Sequence, residues 1–279
     1  MRPDLSERTG LSKSALIDFD LCQQRAWFSL HDPRPYIPNP DMTFGSCVDR
    51  GVEVLVECAR AGIPIDLPRA LAAAAEAQER DGIEVDQDEV EVAVRAFYDD
   101  EAQPPAKKGE ERQRAPLNDH DWAFCRRQAH IHVPIWDLGE VDGHPDLILA
   151  SNEIYDVKTA KRRKYTARTL ELILYAVMVE EDTGLIVPEV GYLAWIRLKT
   201  PYWQTISTFV TDDMRGWAYE RVAAYIRAVR ADEVLNRNQK PQNWTFPGGV
   251  INGRFCQGCR FNPLYGGPCK MAVAEEEDD

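Results

Sequence analysis

The chain has 279 residues, 44% of them apolar and 28% charged, with a formal net charge of −13 and seven cysteines. That composition excludes a disordered or fibrous chain and leaves one large globular domain or two small ones with a buried core. No apolar run approaches the roughly 20 residues of a membrane-spanning helix, and the opening MRPDLSERTG lacks the apolar stretch of a secretory signal, so an intracellular setting without a membrane is expected. In such a reducing compartment, cysteines point to metal binding or buried thiols rather than disulfides.

Residues 11–30 read as a helix, with Ser12 or Ser14 as N-cap and Cys22 within it. Four prolines make 31–40 a loop. Residues 44–61 read as a second helix with Asp49 and Glu53 one turn apart on one face, and Gly45 at its start permits close backbone approach. Helices are expected over 67–80 and 86–98, an acidic region. Residues 76–101 hold eleven acidic and two basic side chains, and the tail 275–279 adds five acids. Residues 102–118, rich in proline and charge, read as a linker. A strand over 128–135 carries His130 and His132, which fit either metal ligation or exposed strand positions.

Two short apolar runs follow, 144–150 and 153–157, with Ser151–Asn152 as the turn between them, a β-hairpin pattern. Asp156 and Lys158 are two apart and so share a face of their strand, and antiparallel pairing brings Asp146 near them. Two carboxylates and a lysine at one point are costly to bury without partners. A divalent cation supplies the partner: carboxylates are hard ligands suited to Mg²⁺ or Mn²⁺, and the lysine can act on water or on a phosphate under attack. A surface hairpin with a salt bridge is the plainer alternative. Just beyond, residues 158–168 carry six basic side chains and no acid, and Lys161, Arg162, Arg163, Lys164 and Arg168 fit contacts with a phosphate backbone.

Residues 167–181 read as an amphipathic helix with Glu171 and Tyr175 one turn apart. Strands over 190–198 and 203–210 precede a long helix through 231, capped by Asp212. Strand, hairpin, helix, two strands and a helix describe an α/β core, a mixed sheet flanked by helices. At the end, Cys256 and Cys259 form a C-x2-C pair with Cys269 nearby, a metal-ligand spacing that lacks one ligand. Cys22, Cys47, Cys58 and Cys125 are the candidates for the fourth.

The Pro-Asp, nine-residue, Asp-x-Lys run of Asp146, Asp156 and Lys158 resembles the active site of the PD-(D/E)XK nuclease superfamily. Cys22 in SKSALIDFDLCQQRAW, with three more cysteines at the far end, resembles the iron–sulfur branch of RecB-type nucleases, which includes CRISPR-adaptation exonucleases and subunits of helicase–nuclease complexes. The resemblance implies a restriction-endonuclease-like fold and a [4Fe–4S] centre on Cys22, Cys256, Cys259 and Cys269, with zinc as the alternative. Cys47, Cys58 and Cys125 are then ordinary buried residues. It implies Asp146, Asp156 and the Val157 carbonyl as metal ligands and Lys158 as the catalytic lysine. In the family's G-x-x-x-H pattern Asp49 stands where histidine is expected, with Glu53 in reserve; in its Q-x-x-x-Y pattern, which implies two DNA-positioning residues, Glu171 replaces glutamine and Tyr175 matches.

A single nuclease domain over 1–279 is therefore expected. It comprises N-terminal helices (11–65), an acidic helical insertion and linker (66–120), a catalytic core (121–232), and a C-terminal cluster-binding segment with an acidic tail (233–279). The implied activity is metal-dependent exonucleolytic cleavage of DNA, single-stranded or at duplex ends. The implied setting is recombination, repair or CRISPR-adaptation, with a protein partner from those systems, in the cytoplasm of a prokaryotic or phage-infected cell. Two other classes fit the sequence: a non-catalytic DNA-binding subunit, and a structural zinc protein whose acidic segment docks a partner.

Overall fold

Short cap signals write the helix boundaries of this chain. In the structure, a computed structural model, residues 11–22, 26, 38–103, 114–122, 125–127, 129–135, 139–162 and 166–235 are described. Strand β1 (Leu11–Ser12) leads directly into α1 (Lys13–Leu21). Backbone bonds from Cys22 N–H to the Asp18 carbonyl (2.8 Å) and from Ala26 N–H to the Cys22 carbonyl (3.1 Å) carry helical spacing past its end. Helix α2 (Pro40–Ala61) begins a turn earlier than its apolar pattern predicts. Asn39 caps it by accepting the Met42 N–H at 3.0 Å, and Pro40 sits in the first turn, where its missing N–H costs nothing. Asp66 caps α3 (Leu67–Asp81) and Asp86 caps α4 (Gln87–Tyr98). Within the expected 102–118 linker, a short helix α5 (Pro116–Asp119) forms, and 104–113 lie outside the described residues.

The described residues fall into two compact units. The first comprises, among the described residues, 11–22, 26, 134–135, 139–142 and 216–235. There β1 runs parallel to β4 (Gly139–Gly143), Leu11 opposite Val141. The Phe19 ring of α1 meets Tyr225 of α7 (Asp212–Leu235) edge-on at 5.1 Å, and Arg221 reaches Asp20 at 3.3 Å. Asp212 is the first residue of α7, not its cap: the Thr211 hydroxyl accepts the Met214 N–H at 3.4 Å from the position before it.

The second unit (36–133 and 143–215) holds a five-stranded mixed sheet. Its order is β2-β5-β6-β7-β8: Arg126–Arg127, Leu147–Ile148, Ile154–Ala160, Glu189–Ile196 and Tyr202–Phe209. Of the expected 128–135 strand, β3 (Ile131–Ile135) forms, and β2 lies just ahead of the expected range. All neighbours are antiparallel except β6 and β7, which α6 (Leu170–Thr183) connects in parallel. On one face of this sheet, Tyr155, Val157, Leu193, Trp195 and Trp203 share a core with α2, α3 and α4. The Trp203 ring lies 5.0 Å from Phe97, and its indole N–H donates to the Ala93 carbonyl at 2.9 Å. A Cβ at Gly51 would come within 2.5 Å of Val94, so α2 and α4 pack closer there than any side chain allows. The acidic helices expected as an insertion thus share the core of the sheet. No helix of the described residues is long and apolar enough to cross a membrane.

Candidate active site

The expected hairpin is formed by β5 and β6, with Leu147 opposite Tyr155 and Ile148 opposite Ile154. In its turn the Leu149 carbonyl accepts the Asn152 N–H at 3.0 Å, and Leu149 N–H donates to the Glu153 carbonyl at 2.9 Å. Asn152 takes a left-handed conformation (φ 62°), which asparagine tolerates better than most side chains. Strand β6 continues to Ala160, past the expected end at 157, because β7 stays in register with it as far as Ile196.

Side-chain alternation along β6 then separates two chemistries. Tyr155 and Val157 enter the apolar core, while Asp156 and Lys158 point the other way. Asp156 is 1% exposed, and its Oδ2 lies 2.5 Å from the Lys158 ammonium. Asp146, just ahead of β5, reaches across the hairpin so that its Oδ2 accepts the Val157 N–H at 2.9 Å. Helix α2 contributes Asp49, whose charge acts directly on Asp146. Gly45 lets that helix approach β6: a Cβ there would stand 3.2 Å from the Thr159 hydroxyl.

The electrostatics follow from this crowding. Burial, and then the charge of Asp49, push the Asp146 carboxyl above its usual pKa. Burial works against the Lys158 ammonium, but Asp156, Glu171 and Asp146 together outweigh it and raise its pKa. The Tyr175 hydroxyl is likewise raised, by burial and by the neighbouring carboxylates of Asp156, Asp146 and Glu171.

Helix α6 closes the cluster. Thr169 caps it, accepting the Leu172 N–H at 3.4 Å. Glu171 points at the lysine, Oε1 to Nζ 3.6 Å, and its Oε2 accepts from the Tyr192 hydroxyl at 3.4 Å. Tyr175, one turn on, donates to the His144 carbonyl at 2.8 Å and so anchors the segment leading to Asp146. Tyr192 stands beside Asp156 in the β6–β7 register, and its hydroxyl is 2.8 Å from the Thr169 hydroxyl. Burial first raises its pKa, to about 12. Sequence reasoning missed Tyr192 and Thr169. Only strand register brings Tyr192 to the site, and register is not written locally in the sequence.

The remaining candidates separate clearly. Lys161 is exposed and pairs with Asp41 at 2.7 Å; Arg162 and Arg168 are exposed; Arg163 and Lys164 lie outside the described residues. The reserve residue Glu53 pairs with Arg50. His130 and His132 are exposed, and the His130 ring stacks on His144 at 4.7 Å. Cys47, Cys58 and Cys125 are buried, as ordinary core residues would be. Cys22 is half-buried, and Cys256, Cys259 and Cys269 lie outside the described residues.

Asp49, Asp146 and Asp156 offer the oxygen donors that Mg²⁺ and Mn²⁺ favour, around a carboxyl that burial and a like charge disfavour as an anion until a cation offsets them. The donor set fits such an ion. Among the described residues no three such side chains are already gathered at coordination geometry. In the present arrangement Asp156 Oδ2 faces Lys158 and Asp146 Oδ2 accepts from the backbone.

The family model for the PD-(D/E)XK nuclease superfamily matches residues 10–264 of the chain. Among solved structures, a protein of Eubacterium rectale provisionally described as an exonuclease is similar over 90% of this chain and 94% of its own, with TM-score 0.53 and 12% identity. At that identity the likeness concerns the fold. A second structure, of the protein SSO0001, covers 92% of this chain and 97% of its own at 10% identity, but its TM-score of 0.32 carries no argument. No curated protein matches the chain in sequence.

Proposed function

From a chain that belongs to the PD-(D/E)XK nuclease superfamily, we propose a Mg²⁺- or Mn²⁺-dependent deoxyribonuclease that acts as an exonuclease in recombination, repair or CRISPR-associated DNA processing. The observation that carries this reading is the convergence of Asp146, Asp156 and Lys158 on one hairpin with Asp49 beside them. Asp49, Asp146, Asp156 and the Val157 carbonyl would hold the ion. When bound, it would polarise the phosphodiester and lower the pKa of the attacking water.

The chain's own residues supply the rest. Lys158 presents positive charge to the phosphoryl oxygens, where charge builds up as water adds at phosphorus and the P–O bond breaks. Tyr175 fixes the backbone ahead of Asp146 through the His144 carbonyl. Lys161, Arg162, Arg163, Lys164 and Arg168 guide the nucleic-acid backbone past the site. Exonucleolytic action and the pathway rest on the sequence resemblance. The same is true of a [4Fe–4S] centre on Cys22, Cys256, Cys259 and Cys269, which brown colour and iron content of anaerobically purified protein would test against zinc.

The decisive experiment is cleavage of DNAs labelled at either end, with Mn²⁺ or Mg²⁺, by the wild type beside Asp156→Ala and Lys158→Ala. Stepwise shortening from an end by the wild type alone is expected. Equal cleavage by either variant would sink the assignment.

A further inference from the structure

Position 171 is where the family pattern has a glutamine and this chain has a carboxylate. Glu171 is only one-fifth exposed, and it faces Lys158. The lysine therefore lies between two carboxylates, 2.5 Å from Asp156 and 3.6 Å from Glu171. Glu171 is in turn oriented by the Tyr192 hydroxyl, and Tyr192 is held by the Thr169 cap of the same helix turn. A line of polar contacts thus runs from the first turn of α6 to the ammonium.

The two carboxylates have different prospects. Under the proposed function, Asp156 is a cation ligand and cannot also serve fully as partner to Lys158. An ammonium at a half-buried site left without a partner is disfavoured. Glu171 is the carboxylate that the cation does not claim. A glutamine there could accept a hydrogen bond but would offset no charge.

We propose that Glu171 is the positioning residue of Lys158: it holds the ammonium in place as a standing counter-ion, leaving Asp156 to the cation, and does not guide the nucleic acid. The proposal rests on the nuclease reading and deepens it.

The test compares full-length wild type, Glu171→Gln, Glu171→Asp and Tyr192→Phe. In cleavage assays with Mn²⁺, Glu171→Gln is expected to lower kcat roughly 10- to 100-fold, as small misplacements of a catalytic group do, with KM for DNA and Mn²⁺ affinity by calorimetry essentially unchanged. Glu171→Asp should recover part of the loss, and Tyr192→Phe should lower kcat by less than Glu171→Gln. In the metal-free protein, the ¹⁵N resonance of the Lys158 ammonium, assigned by its absence in Lys158→Arg, should shift on Glu171→Gln. A raised KM at unchanged kcat would make Glu171 a strand contact and overturn the proposal, as would a Mn²⁺ affinity about tenfold weaker, which would make it a ligand. An unmoved Lys158 resonance would overturn it as well. A wild type that cleaves no DNA would defeat the nuclease reading, while the resonance still decides whether Glu171 holds Lys158.

Discussion

The two faces of β6 differ in every physical respect although they alternate along seven residues. On one face Tyr155 and Val157 sit among Leu193, Trp195, Trp203 and the helices behind them, and each contributes by leaving water. On the other, Asp156 and Lys158 face Asp146, Glu171 and Tyr192, where the carboxylates favour the ammonium while burial and Asp49 weigh on the Asp146 anion. The first face stabilises the fold; the second is held in place by it. Substitutions should therefore separate cleanly, with loss of activity at little cost in stability on the polar face and the reverse on the apolar one.

The largest effect is expected for Asp146→Asn. Cleavage should fall at least about 10³-fold, a barrier increase of about 4 kcal/mol. The metal-free protein should melt at a higher temperature, because the amide removes a buried anion that its surroundings and Asp49 disfavour. Stabilisation by added Mn²⁺ should also shrink. A variant that melts lower than wild type without metal would show that the polar face contributes to stability after all.

Trp203→Ala should do the opposite. Its ring packs on Phe97 and its indole N–H holds the Ala93 carbonyl, so truncation should cost about 3–5 kcal/mol in urea unfolding. The kcat of the molecules that remain folded at low temperature should stay within a fewfold of wild type. A specific loss of kcat would mean that the core transmits more to the site than placement of β6.

A titratable histidine also packs beside the apolar face. The His120 ring lies 4.7 Å from Tyr155 and 5.8 Å from Trp122, and burial lowers its pKa below the usual 6.5. A histidine depressed in the folded state contributes stability that is present above the unfolded value and is lost as pH falls through the folded one. The melting temperature of the wild type should therefore drop as pH is lowered from about 6.5, and that of His120→Phe should drop less. Parallel curves would assign the acid sensitivity elsewhere.

What could be read from the sequence follows the same division. Period-two alternation and the Ser151–Asn152 turn reveal the hairpin and its two faces, because both signals are local. Gly45 also speaks for itself, as a glycine where a helix must come close to Thr159. The direction in which Glu171 faces is not local: it depends on which strand lies beside β6 and in what register. Tyr192 is invisible for the same reason. The helices over 66–98 read as a separate acidic region because their charge is conspicuous, whereas the small residues that bury them, Ala70, Ala74, Ala93 and Val94, give a quiet apolar signal.

The smallest expected effect tests the rim of the polar face, where the basic run begins. Lys161 is two-thirds exposed and pairs with Asp41, which Arg197 also holds at 3.0 Å. Exposed pairs of this kind contribute little, so Lys161→Ala should leave stability within about 0.5 kcal/mol. Its effect on nucleic acid should still be measurable. In an Asp156→Asn background, which should bind without cutting, each phosphate contact adds about 0.7 to the salt dependence of single-strand binding. Lys161→Ala should lower the log–log slope by that amount if the lysine exchanges Asp41 for a phosphate on binding. Asp41→Asn, which gives up the competing carboxylate, should then tighten binding at low salt. An unchanged slope in Lys161→Ala would mean that Asp41 keeps the lysine, and that the backbone is guided by the basic residues beyond it.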